Sequence, residues 1–242
     1  MSVVEPEANS IPREERLIVA LDLPSAEEAK SFVAGLGGVV TFYKIGLELF
    51  MAGGYFELID WLTRQAKKVF VDLKFFDVPE TVGAAVRALR NKGVTFATVH
   101  GNQAMLEAAG RSKGEVKILA VTALTSLDRG DLDDLGFRCD VAQLVLSRAR
   151  RALEAGCDGV ISSGLEAPML KREIGKRLIV VTPGIRPVEN RAPDDQKRVV
   201  DVVQAFANGA DYIVVGRPIR QAADPRAAAQ AMQNSIAAVF PD

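Results

Sequence analysis

One histidine, His100, and two cysteines, Cys139 and Cys157, are all that the 242-residue chain carries of those types. That scarcity removes whole classes of chemistry. A Cys₄, Cys₂His₂ or multi-histidine zinc site cannot be assembled from them. A Ser-His-Asp or Cys-His device would have to use His100, and two cysteines make no disulfide framework. An excess of charge of one sign is also lacking: 30 Lys and Arg stand against 31 Asp and Glu, a net −1. This balance gives no general attraction to nucleic acid or acidic membranes, so an anion must be held by a local cluster. No apolar run approaches the ~18 residues that span a bilayer. Met1 to Glu15 lacks the basic start and apolar centre of a signal peptide. The reading is a cytoplasmic protein whose residues 1–15 form a flexible extension. What remains for chemistry is lysine, arginine, carboxylates and backbone amides.

What is present is a strict alternation. Short apolar runs occur at Leu17–Leu21, Val39–Ile45, Val69–Leu73, Phe96–Val99, Ile118–Val121, Gly159–Ile161, Ile179–Val181 and Tyr212–Val215. Most are continuous in apolar residues, as parallel strands buried on both faces are. Helical patterns lie between them. Ser25 with Glu28 reads as a capping box, with Gly35 near that helix end. Val82, Val86 and Leu89 form one apolar stripe. Val141, Leu144, Val145 and Leu153 form another, ending near Gly156. Gln196–Asn208 and Asp224–Val239 read as further helices. Eight strand–helix units in one chain predict a single-domain (β/α)₈ TIM barrel over residues 16–242. The runner-up, an open doubly wound sheet, lacks its G-x-G-x-x-G signature after the first strand.

Active sites of such barrels lie at the C-terminal ends of the strands. There the chain places Asp22, Lys44, Asp72-Leu73-Lys74, Thr125, Pro183-Gly184-Ile185-Arg186 and Gly216-Arg217. Side chains alternate along a strand, so Asp72 and Lys74 share a face opposite Leu73. If Leu73 packs against helices, both charges face the barrel interior. Asp22 and Lys44 hold matching positions on neighbouring strands. Isolated charges are costly there, so these must pair. They are either structural ion pairs closing the barrel top or a catalytic array of the kind that marks sites. Asp77 could cap a helix opened by Pro79, or reach a neighbouring subunit. Arg186 and Arg217, with Gly216 and a helix starting near Pro218, suit a phosphate held after strands seven and eight. The alternative is that they serve turn geometry and solvation. His100 closes the fourth strand and is read as a structural group.

The stretch Asp72-Leu73-Lys74-Phe75-Phe76-Asp77-Val78-Pro79-Glu80-Thr81 resembles the D-x-K-x-x-D-[IV]-P-x-T signature of the orotidine 5′-phosphate decarboxylase family. Ala20-Leu21-Asp22, Lys44-Ile45-Gly46, Val121 to Ser126, Thr182 to Arg186, Asp195-Gln196 and Val214 to Arg217 follow in the family's order and approximate spacing. Coverage runs from about Arg16 to the C-terminus. Glu80 stands where many members carry Asn or a small hydroxyl residue, and is read as tolerated.

The resemblance implies a homodimeric barrel in de novo pyrimidine biosynthesis. It would be a carboxy-lyase converting the small-molecule substrate orotidine 5′-monophosphate to uridine 5′-monophosphate and CO₂. No metal or organic cofactor, nucleic acid or membrane is implied. It makes Lys74 the proton donor to C6 and sets Asp72 beside the departing carboxylate. It sends Asp77 and Thr81 across the dimer interface into the partner's site. It puts Asp22 and Lys44 on ribose hydroxyls, Thr125 on the pyrimidine, and Arg186, Gln196, Gly216 and Arg217 on the phosphate, with Pro183 also against substrate. The chemistry agrees: a fixed ammonium stabilises charge left at C6 and then supplies the proton, and flanking aspartates favour the ammonium form. Two competitors are a sugar-phosphate decarboxylase that holds magnesium with an extra carboxylate and a non-catalytic nucleotide-binding barrel.

Overall fold

The structure is a computed structural model that describes residues 11–124, 126–186 and 199–241. Eight parallel strands close into a barrel in chain order: β1 (Leu17–Ala20), β2 (Phe42–Gly46), β3 (Lys68–Phe75), β4 (Val94–His100), β5 (Lys117–Val121), β6 (Gly159–Ile161), β7 (Ile179–Thr182) and β8 (Tyr212–Val215). Closure is made by β8 pairing with β1 through Leu17–Ile213 and Val19–Val215. Each strand falls on one of the eight apolar runs. The second starts at Phe42 rather than Val39, because Gly37–Val39 forms a 3₁₀ turn.

Helices fill the connections: α1 (Ala26–Leu36), α2 (Leu47–Ala52), α3 (Tyr55–Arg64), α4 (Pro79–Arg87), α5 (Gln103–Ser112), α6 (Arg129–Asp134), α7 (Val141–Glu154), α8 (Ala167–Ile174), α9 (Val202–Ala207), α10 (Arg217–Arg220) and α11 (Pro225–Val239). Local chemistry sets their ends. Ser25 caps α1 by accepting from the Glu28 N–H. The reciprocal half of the expected capping box does not form, since the Ser25 hydroxyl instead meets the Glu28 carboxylate at 3.3 Å. That helix stops at Gly37, whose φ of 58° suits a residue without Cβ, not at Gly35. Pro79 opens α4; Val82 and Val86 are buried on it, while Leu89, the third residue of the expected stripe, is buried in the turn past its end at Arg87. The helix expected from Gln196 starts only at the Asp201 cap, because Val200 pairs with Ile185 as an isolated bridge. Residues 196–198 lie outside the described residues. Among the described residues no helix is long and apolar enough to cross a membrane.

Two cores result. The larger lies between sheet and helices and takes Leu17, Val19, Tyr43, Ile45, Val69 and Val71. The smaller fills the barrel itself, with Ile18, Phe42, Phe70, Phe96, Leu119, Tyr212 and their neighbours. Phe96 lies edge-on to Tyr212 and Phe70 and tilted to Phe42, with ring centroids 5.1–5.9 Å apart. This aromatic plug makes the lumen a packed core. It also fixes parity. A side chain two residues beyond Ala20, Phe42 or Phe70 must stand in the next layer up, and those positions are Asp22, Lys44 and Asp72. Below the barrel, Arg13–Glu15 form a 3₁₀ turn, and Glu15 pairs with Lys68, so the chain is tied down just before the boundary expected at Arg16.

Candidate active site

The layer above the aromatic plug is charged. A cavity of about 460 Å³ opens at the C-terminal ends of the strands. Asp22, Lys44, Asp72 and Lys74 line one side, and Arg186 and Arg217 line the other. Pro183 and Gly216 also line it. Lys44 Nζ lies 3.2 Å from Asp22 Oδ1 and 3.4 Å from Asp72 Oδ2. Lys74 Nζ lies 3.0 Å from Asp72 Oδ1. The four charges therefore form one chain of alternating sign, as parity requires. Leu73 packs against the outer core on the opposite face.

Lys74 reaches its place by an irregularity in β3. Val71 pairs with Ala97 and Phe75 with Val99, so four steps along β3 run against two along β4. Such a bulge re-aims the side chains within it. Lys74 takes φ 48°, in the left-handed region, which costs an L-residue roughly 1–2 kcal/mol. Thr98 fastens the distortion. Its Oγ1 accepts the Lys74 N–H at 2.9 Å and its hydroxyl donates to Asp72 Oδ1 at 2.9 Å. Thr98 is fully buried. Sequence reading missed it, although the parity that selects Phe96 as a lumen residue also selects Thr98.

Burial works against both ionised members of the central pair, and their partners overcome it. Burial raises the Asp72 pKa. Lys44 and Lys74, with hydrogen bonds from Lys74 and Thr98, bring it below the usual carboxylate value. Burial lowers the Lys44 pKa, but Asp72 and Asp22 leave it raised overall. Gly46 belongs to the same arrangement: a Cβ there would stand 3.4 Å from Lys44 Nζ and 3.7 Å from the Asp72 carbonyl oxygen.

Other expected residues fall differently. Thr125 and Gln196 lie outside the described residues. Asp77 is exposed and does not cap α4. Its carboxylate accepts the Val78 N–H at 2.6 Å, and the N-cap, Val78, makes no side-chain cap bond. Thr81 is exposed on α4. Neither Asp77 nor Thr81 lines the cavity of its own chain. His100 does not line it either. Its ring meets Phe76 edge-on at 5.3 Å, and burial, with Arg148 and Lys74, lowers its pKa. That is a structural placement beside the loop that carries Asp77. Glu80 forms an exposed pair with Arg87 at 2.9 Å.

A closed (β/α)₈ barrel with an alternating carboxylate–ammonium chain at its mouth, and arginines opposite, defines a class: barrel enzymes that work with lysines and carboxylates. Among the described residues no three His, Cys, Asp or Glu side chains converge as a metal site needs. The chain belongs to the orotidine 5′-phosphate decarboxylase / HUMPS family, whose model matches residues 15–232. It is 70% identical over 230 residues to an orotidine 5′-phosphate decarboxylase of Methylococcus capsulatus, covering 95% of each chain. It is 51% identical to the enzyme of that name from Xanthomonas euvesicatoria, covering 94% of each. A crystal structure of orotidine 5′-phosphate decarboxylase from Lactobacillus acidophilus superposes with a TM-score of 0.81 at 38% identity, covering 92% of this chain and 99% of that one.

Two measurements test the array. Asp72, with its pKa lowered by folding, contributes stability above about 3.8 that is lost as the pH falls through its folded value; Lys44, with its pKa raised, contributes below about 10.5 and loses it above. Urea midpoints should therefore fall between pH 7 and pH 3 by more in the wild type than in Asp72→Asn. Equal falls would deny Asp72 this role. Separately, Thr98→Val removes a hydroxyl while keeping the shape and should cost about 1–3 kcal/mol in urea unfolding. Thr98→Ser should recover most of that loss.

Proposed function

We propose that the chain is a cytoplasmic, homodimeric orotidine 5′-monophosphate decarboxylase that forms uridine 5′-monophosphate and CO₂ in pyrimidine biosynthesis, with Lys74 as the proton donor. The catalytic unit is one barrel over residues 16–242, with residues 1–15 as an extension that takes no part in the reaction. The observation that carries the reading is the Asp22–Lys44–Asp72–Lys74 chain, which holds an ammonium group in the cavity on a distorted strand.

The reaction needs such a group. As the C6–carboxylate bond breaks, CO₂ leaves and the bonding pair stays in an in-plane orbital at C6, where the ring π system cannot delocalise it. The Lys74 ammonium stabilises that charge and transfers a proton to C6. The resulting amine regains a proton from water. A substrate carboxylate beside Asp72 meets a like charge, and that repulsion is relieved as CO₂ departs. Asp22 and Lys44, next along the mouth, suit ribose hydroxyls. Arg186, Gly216 and Arg217 suit the phosphate, with Pro183 packed against the ligand. Binding energy from this remote group then orders the charged site. Thr125 and Gln196 enter by family resemblance alone, as contacts to the pyrimidine and the phosphate.

The dimer rests on the position of Asp77 and Thr81. Both are exposed, away from their own cavity, and the neighbouring strand ends carry exposed apolar side chains. Phe76 and Val78 flank Asp77, while Leu47, Phe50 and Met51 stand on α2, with Met51 79% exposed. Several large apolar side chains exposed at these strand ends favour a partner. A second copy covering it would bring Asp77 and Thr81 toward the other cavity.

Lys74→Ala should fold and lose turnover by on the order of 10⁴-fold, followed by the absorbance change on decarboxylation. Substantial residual turnover would remove Lys74 from the proton step. Wild-type activity that persists in chelator separates this reading from magnesium-dependent sugar-phosphate chemistry. Inactive Asp77→Asn and Lys74→Ala homodimers, once mixed and exchanged, should regain activity through sites built from two intact residues. No regain despite demonstrated exchange would show that the site is not shared.

A further inference from the structure

One residue bonded to the charged array carries no charge itself. Thr98 on β4 is fully buried and does not line the cavity, so it stands behind the groups that would meet a ligand. Its hydroxyl nevertheless joins both residues on which the proton step depends. Oγ1 accepts the Lys74 N–H at 2.9 Å, and the hydroxyl donates to Asp72 Oδ1 at 2.9 Å. The same Oδ1 accepts from Lys74 Nζ at 3.0 Å. Threonine hydroxyl, aspartate oxygen and lysine thus close a ring across two strands.

The ring closes where the ladder is irregular. β3 and β4 fall out of step between the Val71–Ala97 and Phe75–Val99 pairs. There the Lys74 N–H finds its acceptor on a side chain, at a residue whose φ of 48° already carries strain. The charged bonds of the array do not last through turnover. When Lys74 gives a proton to C6, its ammonium becomes an amine, and the positive charge facing Asp72 Oδ1 is gone. Lys44 lies 3.4 Å from the other oxygen, Oδ2, and does not replace it. The Thr98 hydroxyl and the Lys74 main-chain N–H neither gain nor lose a proton in that step, so their bonds persist.

We propose that Thr98 is a positioning residue for proton transfer, holding Asp72 Oδ1 and the left-handed main chain of Lys74 to one another while the lysine is discharged, so that the amine is recharged in place. The inference rests on the decarboxylase reading and deepens it. Thr98 acts only through Lys74 and Asp72. Its hydroxyl bonds to none of Asp22, Lys44, Arg186 and Arg217, the groups assigned to sugar and phosphate. Its loss should therefore fall on the chemical step and spare nucleotide binding.

The test measures kcat for orotidine 5′-monophosphate and inhibition by uridine 5′-monophosphate, which lacks the departing carboxylate, in Thr98→Val and Thr98→Ser. Both are assayed at a temperature where circular dichroism shows them folded. Thr98→Val should lower kcat about ten- to a hundredfold, the scale of a small misplacement of a reacting group. Inhibition by the product nucleotide should stay within about twofold of the wild type, since its sugar and phosphate contacts are intact. Thr98→Ser restores the hydroxyl and should recover most of kcat. A merely structural role would weaken turnover and inhibition together, and that result overturns the inference. So does a folded Thr98→Val with wild-type kcat, or a folded Thr98→Ser no better than Thr98→Val. If Thr98→Val does not fold, Thr98→Cys, with its weaker donor, decides by the same comparison of kcat with inhibition. Absence of wild-type turnover is a separate outcome: it removes the functional reading itself, and this inference with it.

Discussion

Lys44 holds the mouth of the barrel together. Its ammonium lies between Asp22 and Asp72, and the second of these in turn holds Lys74. Neither Lys44 nor Asp72 is tolerable alone above an aromatic core, because desolvation works against its ionised form. As a chain they compensate one another, and the protonation state of the central pair is set by its neighbours rather than by solvent. Removing Lys44 would take from Asp22 its ion pair and from Asp72 one of its two. The geometry of the site is therefore a condition of its electrostatics.

The array also has a direction. Round the closed barrel, Arg186 follows β7, Gly216 and Arg217 follow β8, Asp22 follows β1, Lys44 sits in β2, and Asp72 and Lys74 sit in β3. Under the proposed assignment these guanidinium, carboxylate and ammonium groups follow the order of phosphate, sugar and base in a nucleotide. Strand order converts chain order into ligand order, since each strand pairs with its sequence neighbour.

Much of this was legible in the residues. Continuous apolar runs such as Val69–Val71 and Tyr212–Val215 mark strands buried on both faces, and period two selects Asp72 and Lys74 as companions. The same rule reaches Thr98, which lay within a recognised strand and was missed because a lone Thr among apolar neighbours announces no chemistry. The bulge at Lys74 was not legible, since nothing in Asp-Leu-Lys-Phe distinguishes a regular strand from one with a left-handed residue. Helix starts defined by a capping aspartate were shifted where tertiary pairing competed, as Val200 and Ile185 show ahead of α9.

The left-handed backbone at Lys74 has a consequence for transplantation. The lysine is aimed by the main chain, with Thr98 of the adjacent strand as its clamp. Copying Asp-x-Lys onto a regular strand of another barrel would import the side chains without their orientation. The portable unit is the pair of strands, bulge and threonine included.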